Sequence, residues 1–466
     1  MKSYKKYIAI LFLFPLYACE GLLDETVYSE LTTETYLNSE EAKLSILYSA
    51  YGNSQLRASY AYFYGTSMTS GETWNEFGAI ESLFTPLSNF TWVSSHGYFS
   101  EIWNVLYAAI RDANIVLDNT SKENGEEQLI AEAKFIRGYS YSILYDWFGA
   151  LPLYASSSGD DLYLERASEE ETVRFIEKDL SEAAADLPVR QDTYGRATKG
   201  AALGILAKLY LNTRQWQKSA ETAQAVIALN RYQLIPDYEA VFAVDNEGND
   251  ELIWVIQANP QAGVPFVANT FPTDYPHLPN QTIYASRVYL FDDFVNSFDA
   301  ADTRKDLIVT SYTSTAGQFV QLLGNDRSLS GKYEFDKDAM GASYGNDVPV
   351  LRYADILLAR AEALNELNGP TEASVELINA VRERAGVSPL QLSGFTKESL
   401  RDHIFKERGW EFYFEQKSRT DRIRQGTFVS GAQARGKTAA KPHHVLFPIP
   451  LAELDANPNL KQNEGY

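Results

Sequence analysis

The chain has 466 residues, of which 45% are hydrophobic, 22% charged and 13% aromatic. This balance excludes a disordered chain, a collagen-like chain and a membrane protein with many spans. There are 41 basic and 62 acidic residues, and the resulting net charge of -21 argues against nucleic acid as a partner, because it repels a phosphate backbone.

Residues 1–18 have the pattern of an export signal. Three lysines lie within the first six residues, and the apolar run 8–18 that follows is too short to span a bilayer. Cys19, the only cysteine, comes directly after this run, where a bacterial lipoprotein has its lipidated residue. We therefore predict a lipoprotein signal peptide over residues 1–18 and a lipid anchor at Cys19. The alternative is a plain secretory signal cut near Ala18.

Apolar residues recur at helical spacing in several long segments, and these segments occur in pairs separated by short turns. One pair has small residues along its first helix and Trp216 at the start of its second, which is the layout of a tetratricopeptide unit. The predicted helices cover residues 128–148, 169–187, 197–211, 215–229, 350–367 and 371–385.

Two long stretches, residues 52–100 and 236–345, are rich in Gly, Pro, Ser, Asn and Asp and are predicted to be loop-rich, with short strands such as 252–257. Long irregular segments inside a compact protein are usually functional loops or linkers. Between Tyr60 and Tyr107, 13 of 48 residues are aromatic, about double the average of the chain, which favours functional loops. We therefore predict that these stretches form the ligand-binding surface.

Trp74 and Trp92 stand out within the first stretch, because each lies between polar residues and is expected to be an exposed ring on which a sugar face can stack. Glu72 and Asn75, beside Trp74, are predicted to hydrogen-bond the hydroxyl groups of the sugar. The predicted ligand-binding residues are Glu72, Trp74, Asn75, Trp92, Tyr275 and Tyr284.

Several motifs, in order along the whole chain, resemble those of the SusD/RagB family of outer-membrane nutrient-binding lipoproteins. They are CEGLLD at 19–24, EAKFIRGY at 132–139, RATKGAA at 196–202, LRYADILLARAEA at 351–363, FPIP at 447–450 and NPNLKQN at 457–463. One departure lies at 417–424, where many relatives carry an aromatic residue beside the basic one.

The resemblance implies a mainly α fold, a tetratricopeptide-like helical superhelix with an inserted loop-rich ligand-binding region. Its helical repeats would cover about 128–230 and 347–425 of a mature protein 19–466, with the ligand regions at about 52–100 and 236–345. It also implies a lipid-anchored protein at the cell surface that delivers oligosaccharides to a TonB-dependent SusC-like transporter of the outer membrane, without catalysis. The alternatives are a peptide-binding receptor of the same family and a secreted glycoside hydrolase.

Motifs that would indicate an enzyme or a bound ion lack their context. Residues 431–438 match the phosphate-loop pattern GxxxxGKT, but only a short apolar pair precedes them and Pro442 follows, so a solvated loop is predicted. The acidic run 245–250 resembles the start of a calcium loop but has Ile256 where the bidentate Glu belongs. No His-x3-His pair occurs. We therefore predict no catalytic residue, no metal site and no cofactor.

Overall fold

The structure is a computed structural model that describes residues 37, 39–55, 59–75, 81–158, 162–284 and 288–466. The predicted signal peptide and Cys19 lie outside these residues. The chain is mainly helical, as predicted, and its long helices pack in pairs.

Sixteen α-helices are found in the described residues, in addition to short 3₁₀ turns. They are α1 (Glu40–Ser54), α2 (Tyr60–Ser70), α3 (Glu81–Asn89), α4 (Gly97–Asp118), α5 (Glu127–Phe148), α6 (Glu169–Asp186), α7 (Lys199–Asn212), α8 (Trp216–Ala228), α9 (Phe266–Thr270), α10 (Asp292–Val295), α11 (Tyr353–Asn368), α12 (Glu372–Arg384), α13 (Lys397–Phe412), α14 (Ser418–Arg424), α15 (Phe428–Ala434) and α16 (Leu451–Ala456).

The strands are short and pair two by two. They are β1 (Thr73–Asn75), β2 (Leu252–Ile256), β3 (Val288–Leu290), β4 (Ile308–Val309), β5 (Ser311–Thr313), β6 (Phe319–Gln321), β7 (Leu329–Ser330) and β8 (Val348–Arg352). Antiparallel pairs join β1 to β3, β2 to β8, β4 to β7 and β5 to β6.

The helices form one continuous array, in which α1 packs on α4, α4 on α5, and each following helix on the next through α8, then α11 and α12. Small residues permit this close packing: Ala201 and Ala207 of α7 are fully buried, and the Ser219 hydroxyl of α8 donates to the Ala207 carbonyl at 3.1 Å. Local signals set the helix ends, such as the capping box of Ser168 with Glu171 at the start of α6. The predicted helix pairs between 128 and 229 are therefore confirmed to within two residues at each end.

Two predictions about secondary structure are wrong. The predicted helix 350–367 begins only at Tyr353, because the apolar run before it is the buried strand β8; a short apolar run fits either structure. The stretch 52–100 is mostly helical rather than loop-rich, since α2, α3 and parts of α1 and α4 lie within it. Every residue from 61 to 70 of α2 is buried, so this helix shows no amphipathic period that a sequence pattern could reveal.

A buried ion network joins the helix array to the irregular region. The guanidinium of Arg352, at the end of β8, pairs with Glu251 at 2.7 Å and with Glu415 at 2.8 Å. It also pairs with Glu411 of α13, and all four side chains are almost fully buried. An unpaired buried charge is costly, so these ion pairs hold in place the turn that follows α13. In this turn Phe414 and Gln416 both adopt positive φ values of 63°.

Candidate functional site

Trp74 lies at the centre of β1, and the pairing of β1 with β3 places it opposite Tyr289. Its ring is 5.3 Å from the ring of Tyr289 and 6.4 Å from that of Phe291, measured between centroids. Its indole N–H donates to the carbonyl of Asp326. The ring is half-buried and held on two sides, so it is part of a strand rather than the exposed loop residue that was predicted. We call Trp74, Tyr289 and Phe291 the Trp74 ribbon.

Asn75 is half-buried at the end of β1, where it pairs with Val288. Successive side chains of a strand point to opposite faces, so the Asn75 amide leaves the ribbon on the face opposite to the Trp74 ring and can bond a sugar hydroxyl only around the edge of the ribbon.

The Glu72 carboxyl does not point toward a ligand surface, and this differs from the prediction. One carboxylate oxygen accepts the backbone N–H of Phe414 at 2.8 Å, and the other is buried without a hydrogen-bond partner among the described residues. Burial raises the pKa of the Glu72 carboxyl to about 7, and the Phe414 N–H and two nearby cations only partly offset this shift. Glu72 therefore ties the loop before β1 to the turn that follows α13.

The prediction that Trp92 is an exposed ring is wrong. Its side chain is only 4% exposed, and its indole N–H donates to the Tyr466 hydroxyl at 2.9 Å. The rings of Phe90, His444 and Phe447 surround it at centroid distances of 5.0, 4.7 and 5.3 Å. The chain alternates here, with Thr91 and Val93 exposed and the indole between them buried, so polar residues nearby in the sequence did not indicate exposure of the ring. No ring face is left on which a ligand could stack.

Tyr275 and Tyr284 lie in the second region, and no hydrogen bond or ring pair joins either to Trp74 within the described ranges. Tyr275 is half-buried among Phe271, Tyr312 and Phe335, and its ring stacks on Phe335 at 5.4 Å. Tyr284 is 45% exposed, and its backbone N–H donates to the Ala268 carbonyl at 2.6 Å. Of the two, only Tyr284 offers a largely free ring.

Sequence reasoning missed Tyr289, Phe291 and Asp326, which hold the Trp74 ring. They lie more than two hundred residues from Trp74 in the chain, and no periodicity or motif connects a three-residue strand to so distant a partner. Only the short apolar run 288–291, which reads VYLF, could have indicated a short strand there.

Five cavities in the described part of the chain are lined by residues other than those of the Trp74 ribbon. One of about 220 Å³ lies between α5, α7, α11 and α14, and its lining includes Lys208, Asp355 and Arg424. These charges are already paired, Lys208 with Asp355 at 2.7 Å and Arg424 with Glu362 at 2.7 Å. The candidate site is therefore an open aromatic surface rather than a deep pocket.

Residues 431–438 do not form a phosphate loop. Gly431 lies inside α15, which covers Phe428–Ala434, and this corrects the predicted solvated loop. Within the part of the chain that the structure describes, no group of three His, Cys, Asp or Glu residues is placed to hold a metal ion. None of the helices described is both long and apolar enough to cross a membrane.

Comparisons with known proteins give the same kind of relative for both ends of the chain. Residues 325–466 match the SusD family, and residues 22–211 match a family described as starch-binding and associating with the outer membrane. SusD-like protein P25 of Formosa agariphila is 27% identical, with both chains covered in full. The starch-binding protein SusD of Bacteroides thetaiotaomicron is 26% identical over 82% of this chain and 81% of its own.

A solved structure of a SusD homolog from Bacteroides thetaiotaomicron superposes with a TM-score of 0.81 at 24% identity, over 93% of this chain and 98% of the homolog. This likeness extends to the helix array and the irregular regions together. The two family matches and the relatives of similar length have one explanation, which is that the chain belongs to the SusD/RagB family.

Proposed function

We propose that this protein binds oligosaccharides at the Trp74 ribbon and delivers them to a TonB-dependent SusC-like transporter in the outer membrane. The observation that carries the proposal is the match of residues 22–211 to a starch-binding family, because this range contains Trp74 and Asn75. The name of the Bacteroides thetaiotaomicron relative, a starch-binding protein, supports the same ligand class.

The physical properties of the ribbon suit this task. An aromatic ring stacked on a sugar contributes on the order of 1 kcal/mol, so one or two rings with a few hydrogen bonds give micromolar to millimolar affinity. A protein that hands its ligand to a transporter must also release it, which favours affinity in this range. Trp74 is the primary contact in the proposal, Asn75 is a contact at the edge of the ribbon, and Tyr284 and Tyr275 are more distant ones.

We also propose that residues 19–466 are the mature protein, attached to the outer membrane and exposed at the cell surface through a lipid on Cys19. The place of Cys19 directly after an apolar run supports the anchor, and the outer-membrane association in the family description supports the location. Mass spectrometry of the N-terminus of protein extracted from native membranes tests this. An unmodified N-terminus at or beyond residue 19 would contradict it.

A glycan and peptide array probed with the mature protein tests the ligand class. We expect neutral or charged oligosaccharides to bind and peptides not to bind; peptide binding alone would replace the proposal with a peptide receptor. Calorimetry then compares wild type with Trp74→Ala and with the control Tyr48→Ala, since Tyr48 is a more accessible ring on α1, 50% exposed. Only Trp74→Ala should lose affinity.

Two further measurements test the remaining parts of the proposal. Prolonged incubation with a bound oligosaccharide should leave its chain length unchanged, whereas shortening would indicate a hydrolase. Affinity purification from native membranes should recover a TonB-dependent transporter, and recovery of the protein alone would contradict the delivery role.

A further inference from the structure

Two guanidinium groups, those of Arg422 on α14 and Arg435 directly after α15, meet beside Gly431. A Cβ atom on Gly431 would lie 3.5 Å from Nη1 of each arginine, so these two nitrogen atoms lie within about 7 Å of each other. Both side chains are half-buried and remain accessible to solvent in part. Two like charges at this distance repel each other, so the arrangement is unfavourable unless a negative charge offsets it.

Neither guanidinium has a carboxylate within 4 Å among the described residues. Arg422 donates through Nε to the Ser418 hydroxyl at 3.3 Å, and Arg435 donates through Nη2 to the Ser70 carbonyl at 3.0 Å. By contrast, the buried Arg352 and Arg424 each pair with at least two carboxylates. In a chain with a net charge of -21, two neighbouring arginines without a paired carboxylate form a positive site.

Burial and the charge of Arg422 lower the pKa of Arg435 to about 10. The charged form of Arg435 is therefore less stable here than in water. The acid that faces Arg422 from the neighbouring loop, Glu72, has a pKa raised to about 7 and compensates only partly for this charge. An oxyanion between the two guanidinium groups would stabilise both charged groups. Each guanidinium presents several donors in a plane that matches carboxylate and sulfate oxygens.

The pair lies next to the loop that carries the Trp74 ribbon. Gly71 has a φ of +70°, and a Cβ there would lie 2.3 Å from the guanidinium carbon of Arg435, so the guanidinium rests directly on the chain at this glycine. Trp74 follows three residues later, a separation of at most about 11 Å of extended chain. The chain position that contacts Arg435 and the one that carries the indole ring are therefore close enough for one extended oligosaccharide to span.

We propose that Arg422 and Arg435 form a subsite for a negatively charged substituent, a sulfate ester or a uronate carboxylate, on the oligosaccharide bound at Trp74. The inference rests on the proposed function and narrows its ligand class to acidic glycans. A purely structural pair, in which Arg435 serves only to satisfy the last carbonyl of α2, is the alternative.

A matched pair of substitutions at Gly431 tests the subsite without removing either arginine. Gly431→Asp adds a carboxylate between the guanidinium groups and competes with the ligand, whereas Gly431→Asn adds the same shape without charge. The contact of 3.5 Å is an ordinary one, so both variants should fold, and Gly431→Asp should melt at or above the wild-type temperature. Arg422→Gln is a second variant that removes one charge directly.

The array is extended with sulfated and uronate-containing oligosaccharides, represented in calorimetry by a carrageenan hexasaccharide, an oligogalacturonate and neutral maltohexaose. We expect an acidic ligand to bind wild type and Gly431→Asn within about twofold of each other, and Gly431→Asp and Arg422→Gln about tenfold or more weakly. Whichever acidic probe shows this difference identifies sulfate or carboxylate as the substituent.

Three outcomes would overturn the inference. Binding of neutral oligosaccharides alone would overturn it and leave the proposed function intact. Equal affinity of Gly431→Asp and Gly431→Asn for an acidic ligand would show that the arginines have a structural role and do not bind the ligand. Binding of no oligosaccharide of any class would overturn both the subsite and the proposed function.

Discussion

Replacing Trp92 by alanine should destabilise the protein far more than replacing Trp74, although both tryptophans have polar neighbours in the sequence. Trp92 is 4% exposed and packed between Phe90, His444 and Phe447, whereas Trp74 is half-buried on a two-stranded ribbon. The indole of Trp92 fills a space that its rigid aromatic neighbours cannot close. The truncation therefore leaves a cavity.

The expected magnitude for Trp92→Ala is about 3 to 5 kcal/mol of unfolding free energy, which is the usual cost of removing a buried tryptophan. The lost hydrogen bond adds little, about 1 kcal/mol or less, because the Tyr466 hydroxyl keeps its bond to the Leu446 carbonyl at 2.6 Å. Trp74→Ala removes a ring that is already partly in water, so its cost should be about 1 to 2 kcal/mol.

Urea denaturation of wild type, Trp92→Ala and Trp74→Ala measures the stabilities, with Trp92→Phe as a control that keeps an aromatic ring but loses the N–H. Calorimetry with the best oligosaccharide then measures affinity, which should fall about tenfold or more for Trp74→Ala and stay unchanged for Trp92→Phe. If Trp92→Ala unfolds at the wild-type denaturant concentration, or Trp74→Ala is the less stable of the two, the assignment of core and surface is wrong.

Three further predictions concern stability. Ala207→Leu should lose about 1 to 3 kcal/mol in urea denaturation because Ala207 is fully buried between α7 and α8, and an equal loss in the exposed control Ala373→Leu would refute this packing. Arg352→Leu should lose about 3 to 5 kcal/mol or fail to fold, since it removes the one cation that Glu411, Glu251 and Glu415 share and leaves three buried carboxylates with only Arg304, Arg384 and Lys332 beside them among the described residues; a stable variant would show that Arg352 is dispensable. Glu72 keeps its proton in the folded state up to a pKa of about 7 but loses it near 4.5 when unfolded, so wild-type stability falls as pH rises between these values. Glu72→Gln should remove this fall. The unfolding free energy of the variant minus that of wild type should therefore rise by up to about 3 kcal/mol between about pH 4 and about pH 8, and parallel pH profiles would contradict the buried carboxyl.

The helices whose residues alternate between core and solvent were determined by the sequence alone. In α6 and α8 the apolar spacing predicts the helix, and in α6 the Ser168 capping box marks its first residue, because these signals act within one or two turns of the chain. The fully buried helix α2 and the strand β8 lack such a period. Local patterns therefore could not distinguish α2 from a loop or β8 from the start of a helix.

The candidate site depended on the tertiary structure. The sequence identified Trp74 and Trp92 by the same signal, polar neighbours, and only the packing of the C-terminal aromatic residues around Trp92 decided which ring is buried. The support of Trp74 comes from Tyr289, and the meeting of Arg422 with Arg435 depends on how α14 and α15 pack. The physical reason is that local spacing reports on backbone periodicity, whereas exposure and charge compensation depend on contacts between segments far apart in the chain.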